Sequence, residues 1–113
     1  MTRIRLILGL AALLVAAPAA VADQYRVMVG NFFFEPSELS VLTGDTVGWR
    51  NHDGTHSTTA DDFTWDSGVA VAPWGFAFTF TAPGDYFYFC SVHGAPGGIG
   101  QSGVIHVSQP EGP

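Results

Sequence analysis

Residues 89–103 read FCSVHGAPGGIGQSG, a stretch that lies between two strand-like runs. It holds the only cysteine of the chain, Cys90, with His93 three residues later and Gln101 near the end of a glycine-rich loop. Because a lone cysteine cannot form a disulfide within the chain, Cys90 is buried, reactive, paired with another molecule or bound to a metal. Cys90 and His93 can point into one site if the chain turns immediately after the thiol, which makes this stretch a candidate for metal binding.

From Gln24 onward the sequence has the pattern of a β protein. Apolar and polar residues alternate with period two, and turn sequences recur at residues 35–37, 43–45, 51–55 and 82–85. No stretch has a sustained helical period. The prediction is an all-β chain of about seven or eight short strands, arranged most economically as a Greek-key β-sandwich. The predicted strands are residues 25–34, 38–42, 46–50, 56–60, 69–71, 76–81, 85–90 and 102–108.

Two of these strands predict where the core lies. In residues 76–81 three phenylalanines alternate with alanine and threonine, so the phenylalanines share one face, which we expect to be the inner one. In residues 85–90 both faces carry aromatic side chains, which favours a central strand. Cys90 shares its face with Tyr86 and Tyr88, and the alternation alone does not decide whether that face is the inner one.

The first 22 residues have the pattern of a secretory signal peptide. Arg3 and Arg5 precede an apolar run that is too short to span a bilayer comfortably, and small residues stand at Ala20 and Ala22. Cleavage after Ala22 would leave one domain over residues 23–108 and a tail at 109–113 that is predicted to be disordered. No second hydrophobic segment follows, so we expect an exported protein, periplasmic or secreted, without stable membrane insertion.

The charge of the chain limits its partners. After Ala22 the chain has two arginines and ten carboxylates, which gives a net charge of −8, and it contains no lysine. So few cations cannot neutralise a row of phosphates, which argues against nucleic acid and anionic membrane surfaces as partners. A basic protein partner is the natural expectation.

A third metal ligand is expected upstream of Cys90. His56 follows a turn sequence, NHDGT at residues 51–55, and a Greek-key crossing can bring that turn beside the Cys90 loop. Two imidazoles and one thiolate suit copper in an electron-transfer site with a weak fourth ligand. Zinc accepts the same three donors, so the donor set by itself leaves the metal open.

Residues 27–107 resemble the plastocyanin-like branch of the cupredoxins, the small blue copper proteins. The resemblance rests on FFFEPSELSVLTGDTVGWRN at 32–51, NHDGTHSTT at 51–59 and APGDYFYFCSVHGAPGGIGQSGVIHV at 82–107. It implies one copper ion bound by His56, Cys90 and His93. It also implies that Asn51 joins the two segments that carry the ligands.

The fourth ligand departs from the closest family pattern. Where that pattern has methionine in Gly-Met-x-Gly, this chain has Gln101. The only methionine after the signal peptide, Met28, belongs to the first predicted strand. An axial glutamine is similar to that of stellacyanin and related phytocyanins, in which the amide oxygen takes the axial position. Oxygen is a harder donor than a thioether, so Gln101 should favour Cu(II) and lower the reduction potential.

The resemblance implies a function as a one-electron carrier, not an enzyme. It places His93 near the surface, in an apolar patch supplied by residues 94–99, where a redox partner would dock on a chain expected to be monomeric. The alternative is a copper-binding protein for tolerance or delivery, which a methionine- or histidine-rich tail would favour; the chain has none. A copper enzyme would need further ligand sets such as His-x-His pairs, and none occurs.

The remaining polar residues have simpler interpretations. His52 precedes His56 by four residues and is expected to be solvated, because it lies in a loop that ends a strand. His106 alternates with Ile105 and Val107, so it is expected at the surface. Three aspartates, which lack the spacing and the glycine of a calcium loop, are predicted to form a solvated turn. They are Asp61, Asp62 and Asp66.

Overall fold

The computed structural model describes residues 21–111, which form ten β-strands and no helix. Within this range, no helix long and apolar enough to cross a membrane is found. The strands are β1 (Gln24–Gly30), β2 (Phe33–Glu35), β3 (Glu38–Leu42), β4 (Thr46–Asn51), β5 (Thr55–His56), β6 (Thr59–Ala60), β7 (Ala70–Val71), β8 (Trp74–Thr79), β9 (Gly84–Ala95) and β10 (Ile99–Ser108).

The strands form two four-stranded sheets and one small pair. One sheet has the order β2-β1-β4-β8 and the other the order β3-β10-β9-β6, while β5 pairs with β7. β1 and β4 run parallel, as do β3 and β10, and the other pairs are antiparallel. The prediction of an all-β sandwich is confirmed, with ten strands instead of eight because two predicted runs, 25–34 and 56–60, are each divided into two strands.

The core between the sheets is rich in aromatic side chains. Trp49 of β4 and Trp65 lie with ring centroids 5.2 Å apart, and Tyr88 of β9 packs against both. Phe80 is fully buried, while Phe76 and Phe78 pack against the core from the edge strand β8, so the predicted inner face is confirmed. β9 lies between β10 and β6, and its inner face carries Tyr88 and Cys90, both buried.

The predicted first strand, residues 25–34, is interrupted in the structure. Asn31 and Phe32 form a two-residue turn between β1 and β2, and Gly30 pairs with Phe33 across it. The ring of Phe33 lies across Gly30, where a Cβ would come within 2.6 Å of it. The turn therefore presents Asn31 and Phe32 at one end of the sandwich, beside the ring of His56.

The glycine-rich stretch is a β-hairpin, which the sequence patterns did not predict. β9 continues past Cys90 to Ala95, and β10 begins at Ile99, so strands extend into the predicted loop, with Gly94 and Ala95 paired to Gly100 and Ile99. The pairing shifts register between Gly100 and Ser102. Across this irregularity four residues of β9, 90–93, lie opposite the single residue Gln101 of β10. β9 therefore bulges at the segment that carries Cys90 and His93, and a bulge of this kind redirects side chains.

The signal peptide and the disordered tail remain predictions. The predicted signal peptide lies outside the described residues except for Val21 and Ala22, and the last two residues of the predicted tail lie outside them as well.

Within the domain, the hydroxyl of Tyr86 donates to the Ala82 carbonyl at 2.7 Å, the contact of a tyrosine corner.

Candidate metal centre

Three potential metal ligands meet at the end of the sandwich where the β1–β2 turn lies. Cys90 Sγ is 3.7 Å from Nδ1 of His56 and 3.7 Å from Nδ1 of His93, and the two Nδ1 atoms are 3.2 Å apart. In a triangle with these sides, the point equidistant from the three atoms lies about 2.1 Å from each, close to an ordinary metal–nitrogen distance. The donors are therefore arranged for one ion and fit a type 1 copper site.

Hydrogen bonds to Nε2, the ring nitrogen that faces away from Cys90 and His93, fix the orientation of His56. Its Nε2 lies 2.8 Å from Asn31 Oδ1 and 2.8 Å from the Asp53 carbonyl, and the Asn31 amide nitrogen donates to the Asp53 carboxylate at 3.2 Å. Since both neighbours of Nε2 are acceptors, Nε2 carries the hydrogen and Nδ1 presents a lone pair to Cys90 and His93. Burial lowers the pKa of His56 in spite of the Asp53 carbonyl, which favours the neutral, ligating form.

The turn before His56 requires a glycine. Gly54 has a φ of +86°, and a Cβ at this position would collide with Asn31 Oδ1 and lie 2.9 Å from His56 Nε2. The close approach of Gly54 to these two side chains therefore leaves no room for a larger residue. This local constraint keeps the Asn31–His56 hydrogen bond in place.

The role predicted for Asn51 is wrong in one respect. Asn51 Nδ2 donates to the Gly54 carbonyl at 2.9 Å, and Asn51 Oδ1 accepts from the Asp53 amide at 3.1 Å. Both contacts lie inside the turn at residues 51–54. Asn51 thus shapes the turn that leads to His56, and it does not join the two ligand segments.

Ser57 makes that connection instead. Its Oγ accepts from the Ser91 amide at 2.9 Å and lies 3.0 Å from Ser91 Oγ and 2.8 Å from Thr59 Oγ1. Thr59 donates its hydroxyl hydrogen to Asp66 at 3.0 Å, so Ser57 donates to Thr59 and Ser91 donates to Ser57. In this series of hydrogen bonds, each hydroxyl donates its hydrogen in the direction of the Asp66 carboxylate.

Gln101 lies beside the three donor atoms of Cys90, His56 and His93, which we call the donor triangle. One polar atom of its side chain makes no hydrogen bond within the described part of the chain. Its side chain is 2% exposed, and Nε2 donates to the carbonyls of Gly30 and Phe33, both at 3.0 Å. Two carbonyl partners identify this atom as the nitrogen and use both of its hydrogens. Oε1 is buried and has no hydrogen-bond partner among the described residues, and the side chain lies close enough to His56 to affect its pKa.

His93 is half-buried and packs against Phe32, and the hairpin that follows it carries two further exposed apolar side chains. We call these three residues the apolar patch: Phe32, Pro96 and Ile99. The Phe32 ring packs edge-on against His93 with centroids 4.5 Å apart, and 63% of Phe32 is exposed. Ile99 is 60% exposed. The hairpin tip is anchored from the side, because the Gly97 amide donates to the Asp61 carboxylate at 3.0 Å.

The residues with simpler interpretations are not part of the donor triangle. His52 is exposed, as expected. His106 lies on the outer side of β10, but it is ion-paired with Asp85 at 2.7 Å and Glu38 at 2.6 Å, contacts that the sequence did not predict. The acidic turn has structural contacts: Asp62 accepts from the Thr64 amide and hydroxyl.

The cupredoxin-like sandwich and its donor triangle agree with comparisons to known proteins. No protein-family model matches the chain. It is 30% identical over 112 residues to the chloroplastic plastocyanin of Oryza sativa subsp. indica, covering 82% of this chain and 73% of the rice protein. For the Hordeum vulgare plastocyanin the identity is 31% over 84 residues, covering 64% and 54%. The chain belongs to the plastocyanin-like branch of the cupredoxins.

Solved structures show the same relationship. A purple cupredoxin from Nitrosopumilus maritimus superposes with a TM-score of 0.64 at 25% identity, covering 74% of this chain and 99% of that one. A pseudoazurin from Sinorhizobium meliloti gives 0.62 at 26% identity, covering 78% and 76%. A copper-containing nitrite reductase from Thermus scotoductus SA-01 gives 0.67 at 25% identity. It covers 86% of this chain, which spans only 26% of the reductase.

Sequence reasoning missed Asn31, Phe32 and Ser57. Asn31 and Phe32 lie within a run that has the composition of one strand, and only the Gly30–Asn31 pair indicates a turn. Ser57 is one of several hydroxyl residues at 55–59, and nothing in its position marks it as the residue that meets Ser91.

Proposed function

We propose that this protein is a one-electron carrier whose copper ion is bound by His56, Cys90 and His93. The observation that carries the proposal is the convergence of Cys90 Sγ and two imidazole Nδ1 atoms within 3.7 Å of one another, in a chain of this family. Copper, when bound, supplies one-electron exchange between Cu(II) and Cu(I). No substrate is transformed on this proposal.

The protein's contribution is to hold the ligands in one arrangement. Asn31 and the Asp53 carbonyl fix the His56 ring, and Ser57 holds the Cys90 segment at a set separation from it. Cys90 and His56 are fully buried, so water is kept from the thiolate side of the site. Outer contacts that orient ligand side chains in this way also tune the properties of a bound metal.

We also propose that Gln101 Oε1 would be the fourth ligand of a bound copper ion. The support is chemical: both amide hydrogens are used by backbone carbonyls, and the buried oxygen has no partner among the described residues. A buried acceptor without a partner has a free-energy cost, and coordination to a metal would remove it.

Electrons would enter and leave through His93, the ligand with an exposed edge in the apolar patch. A small apolar surface suits the brief encounters of redox proteins, whose interfaces are usually below about 1,200 Å². The acidic remainder of the chain would attract a basic partner, and association should slow as salt rises. We expect the protein to act outside the cytoplasm as a monomer, in a periplasm or after secretion.

The decisive experiment is to add Cu(II) to the purified domain and record the visible spectrum. We expect an intense thiolate-to-copper band at one equivalent of copper, absent from Cys90→Ser. A wild-type protein without the band would contradict the copper site. Stopped-flow reduction and reoxidation then separate the functions: rapid, reversible cycling supports a carrier, whereas slow cycling with tight copper retention supports tolerance or delivery.

A further inference from the structure

The two arginines among the described residues lie side by side on the outer face of the β2-β1-β4-β8 sheet. Arg26 is on β1 and Arg50 on β4, both exposed, and the parallel register pairs Arg26 with Gly48 and Met28 with Arg50. The arginines are thus diagonal neighbours, with Cα atoms about 8 Å apart for ordinary strand spacing and rise. Gly48 and Met28, the register partners of the two arginines, lie on the same outer face.

These arginines line a cavity of about 400 Å³, open to solvent, which we call the arginine trough: Arg26, Gly48, Arg50 and Gly75. Its floor is backbone. A Cβ on Gly48 would have nothing closer than the Tyr25 carbonyl at 3.8 Å, and a Cβ on Gly75 would lie 3.2 Å from Arg50 Cδ. The Arg50 stem therefore lies over Gly75, and the trough is deepest where side chains are absent.

Neither guanidinium is paired with a carboxylate among the described residues. All ten carboxylates fall within the described range, yet none lies within 4.0 Å of Arg26 or Arg50, and the ion pairs of this range involve only His106. Glu35 of β2 is the register partner of Met28 and so a diagonal neighbour of Arg26 on the same face, but its carboxylate is not within 4.0 Å of the guanidinium. In the part of the chain that the structure describes, both arginines are thus available for an external anion.

We propose that the arginine trough binds an extended acidic segment of a protein partner, with two carboxylates placed two residues apart. Alternate residues of an extended segment are about 6.6 Å apart on one face, a spacing that two guanidiniums on diagonal positions can match. Arginine forms paired hydrogen bonds with carboxylates, which gives such a contact its geometry.

A free small anion would be held too weakly in this trough. An exposed ion pair contributes only about fivefold in affinity, so two of them give about 25-fold. A peptide segment gains further contact with Met28, which is 44% exposed beside Arg50 on the same face. Methionine and arginine are both enriched in protein interfaces.

The proposal is tested by NMR titration of the labelled protein, with and without Cu(I), using the acetylated, amidated pentapeptide Ser-Glu-Thr-Glu-Ser. We expect shifts confined to residues of the arginine trough, in both metal states. Affinity should fall about fivefold in Arg50→Gln and in Arg26→Gln. It should be unchanged in His106→Gln at about pH 6, which removes one positive charge from the other sheet.

Three results would overturn the proposal. One is equal binding of the Ser-Gln-Thr-Gln-Ser peptide, which lacks the carboxylates. Another is equal affinity for glutarate, which would make the trough a small-anion site. The third is no binding at low salt, or shifts centred on the apolar patch. Because the measurement needs no electron transfer, its outcome is independent of the proposed copper function.

Discussion

The Ser91 amide donates to Ser57 Oγ at 2.9 Å, which joins the residue after Cys90 to the residue after His56. Ser57 is fully buried, so water has no access to replace its hydroxyl. The separation of two proposed ligands thus depends on one hydroxyl group, which is itself held by Thr59 and, through it, by Asp66.

Ser57→Ala should therefore affect stability and the metal site together. Removing a buried hydroxyl leaves the Ser91 amide without its acceptor, which costs about 1–3 kcal/mol. We expect that loss in chemical unfolding, with a broadened or shifted thiolate-to-copper band. Ser40→Ala, at an exposed position of β3, is the matched control and should change neither. An unaltered spectrum in Ser57→Ala would argue against the joining role.

Asn31→Ala should weaken copper binding without removing a ligand. Asn31 Oδ1 accepts the hydrogen bond from His56 Nε2. Loss of a hydrogen bond that orients a metal ligand typically reduces metal affinity by about 10–100-fold. Competition with a chelator measures the change. Asp53→Asn is the control, because it keeps the contacts of His56 Nε2 with Asn31 Oδ1 and with the carbonyl of residue 53, and it should retain most of the affinity. Equal losses in Asn31→Ala and Asp53→Asn would show that the Asn31–His56 hydrogen bond is not the cause.

Gln101→Met tests the axial ligand. A thioether favours Cu(I) more than an amide oxygen does, so the potential should rise by at least about 60 mV, a tenfold change in redox preference. Voltammetry of the wild type and the variant gives the difference. An unchanged or lowered potential, with the visible band intact, would show that Gln101 does not reach the metal.

Gly94→Ala should disrupt the hairpin that carries the site. A Cβ at Gly94 would lie 2.5 Å from the Gln101 carbonyl and 2.7 Å from the Ile99 carbonyl, so β9 and β10 must separate, at a cost of about 1–3 kcal/mol. Gly98→Ala is the control: its φ of +77° adds strain, but the added methyl meets open space. We expect a changed visible spectrum in Gly94→Ala alone.

His106 should make stability depend on pH. Hydrogen bonds to Asp85 of β9 and Glu38 of β3 raise its pKa above the ordinary value of about 6.5. The stabilisation is complete below that value and is lost as the pH rises through the raised pKa. Wild type should therefore exceed His106→Gln in melting temperature by more at about pH 5.5 than at about pH 9.

The control for this prediction is Asp85→Asn. This change removes one of the two carboxylates while keeping the histidine, so it should reduce the pH dependence of the melting temperature. Equal differences at both pH values would contradict the role of the ion pairs.

Much of the sandwich follows from alternation in the sequence, because strands that are buried on one face keep period two. The division of residues 25–34 does not follow, since this run has the composition of a single strand and the turn at Asn31 and Phe32 depends on packing of Phe33 over Gly30. The hairpin after Cys90 could not be predicted either, because five glycines at 94–103 suggest a loop as readily as paired strands.

For the candidate site, sequence reasoning proposed the donors and missed what orients them. The spacing from Cys90 to His93 is local, and the turn before His56 has recognisable residues. The Asn31–His56 and Ser57–Ser91 contacts join residues 25 and 34 positions apart. Such contacts between common polar residues arise from the way the strands cross, which no short stretch of sequence specifies.

The half-buried position of His93 in a single apolar patch has a kinetic consequence. If this edge is the one route for electrons, the donor and the acceptor must occupy the same surface in turn. Each turnover then requires one partner to leave before the other arrives, so either partner in excess should act as a competitive inhibitor of the other. The dissociation rate, and not the exchange of the electron, would then limit the flux through this carrier.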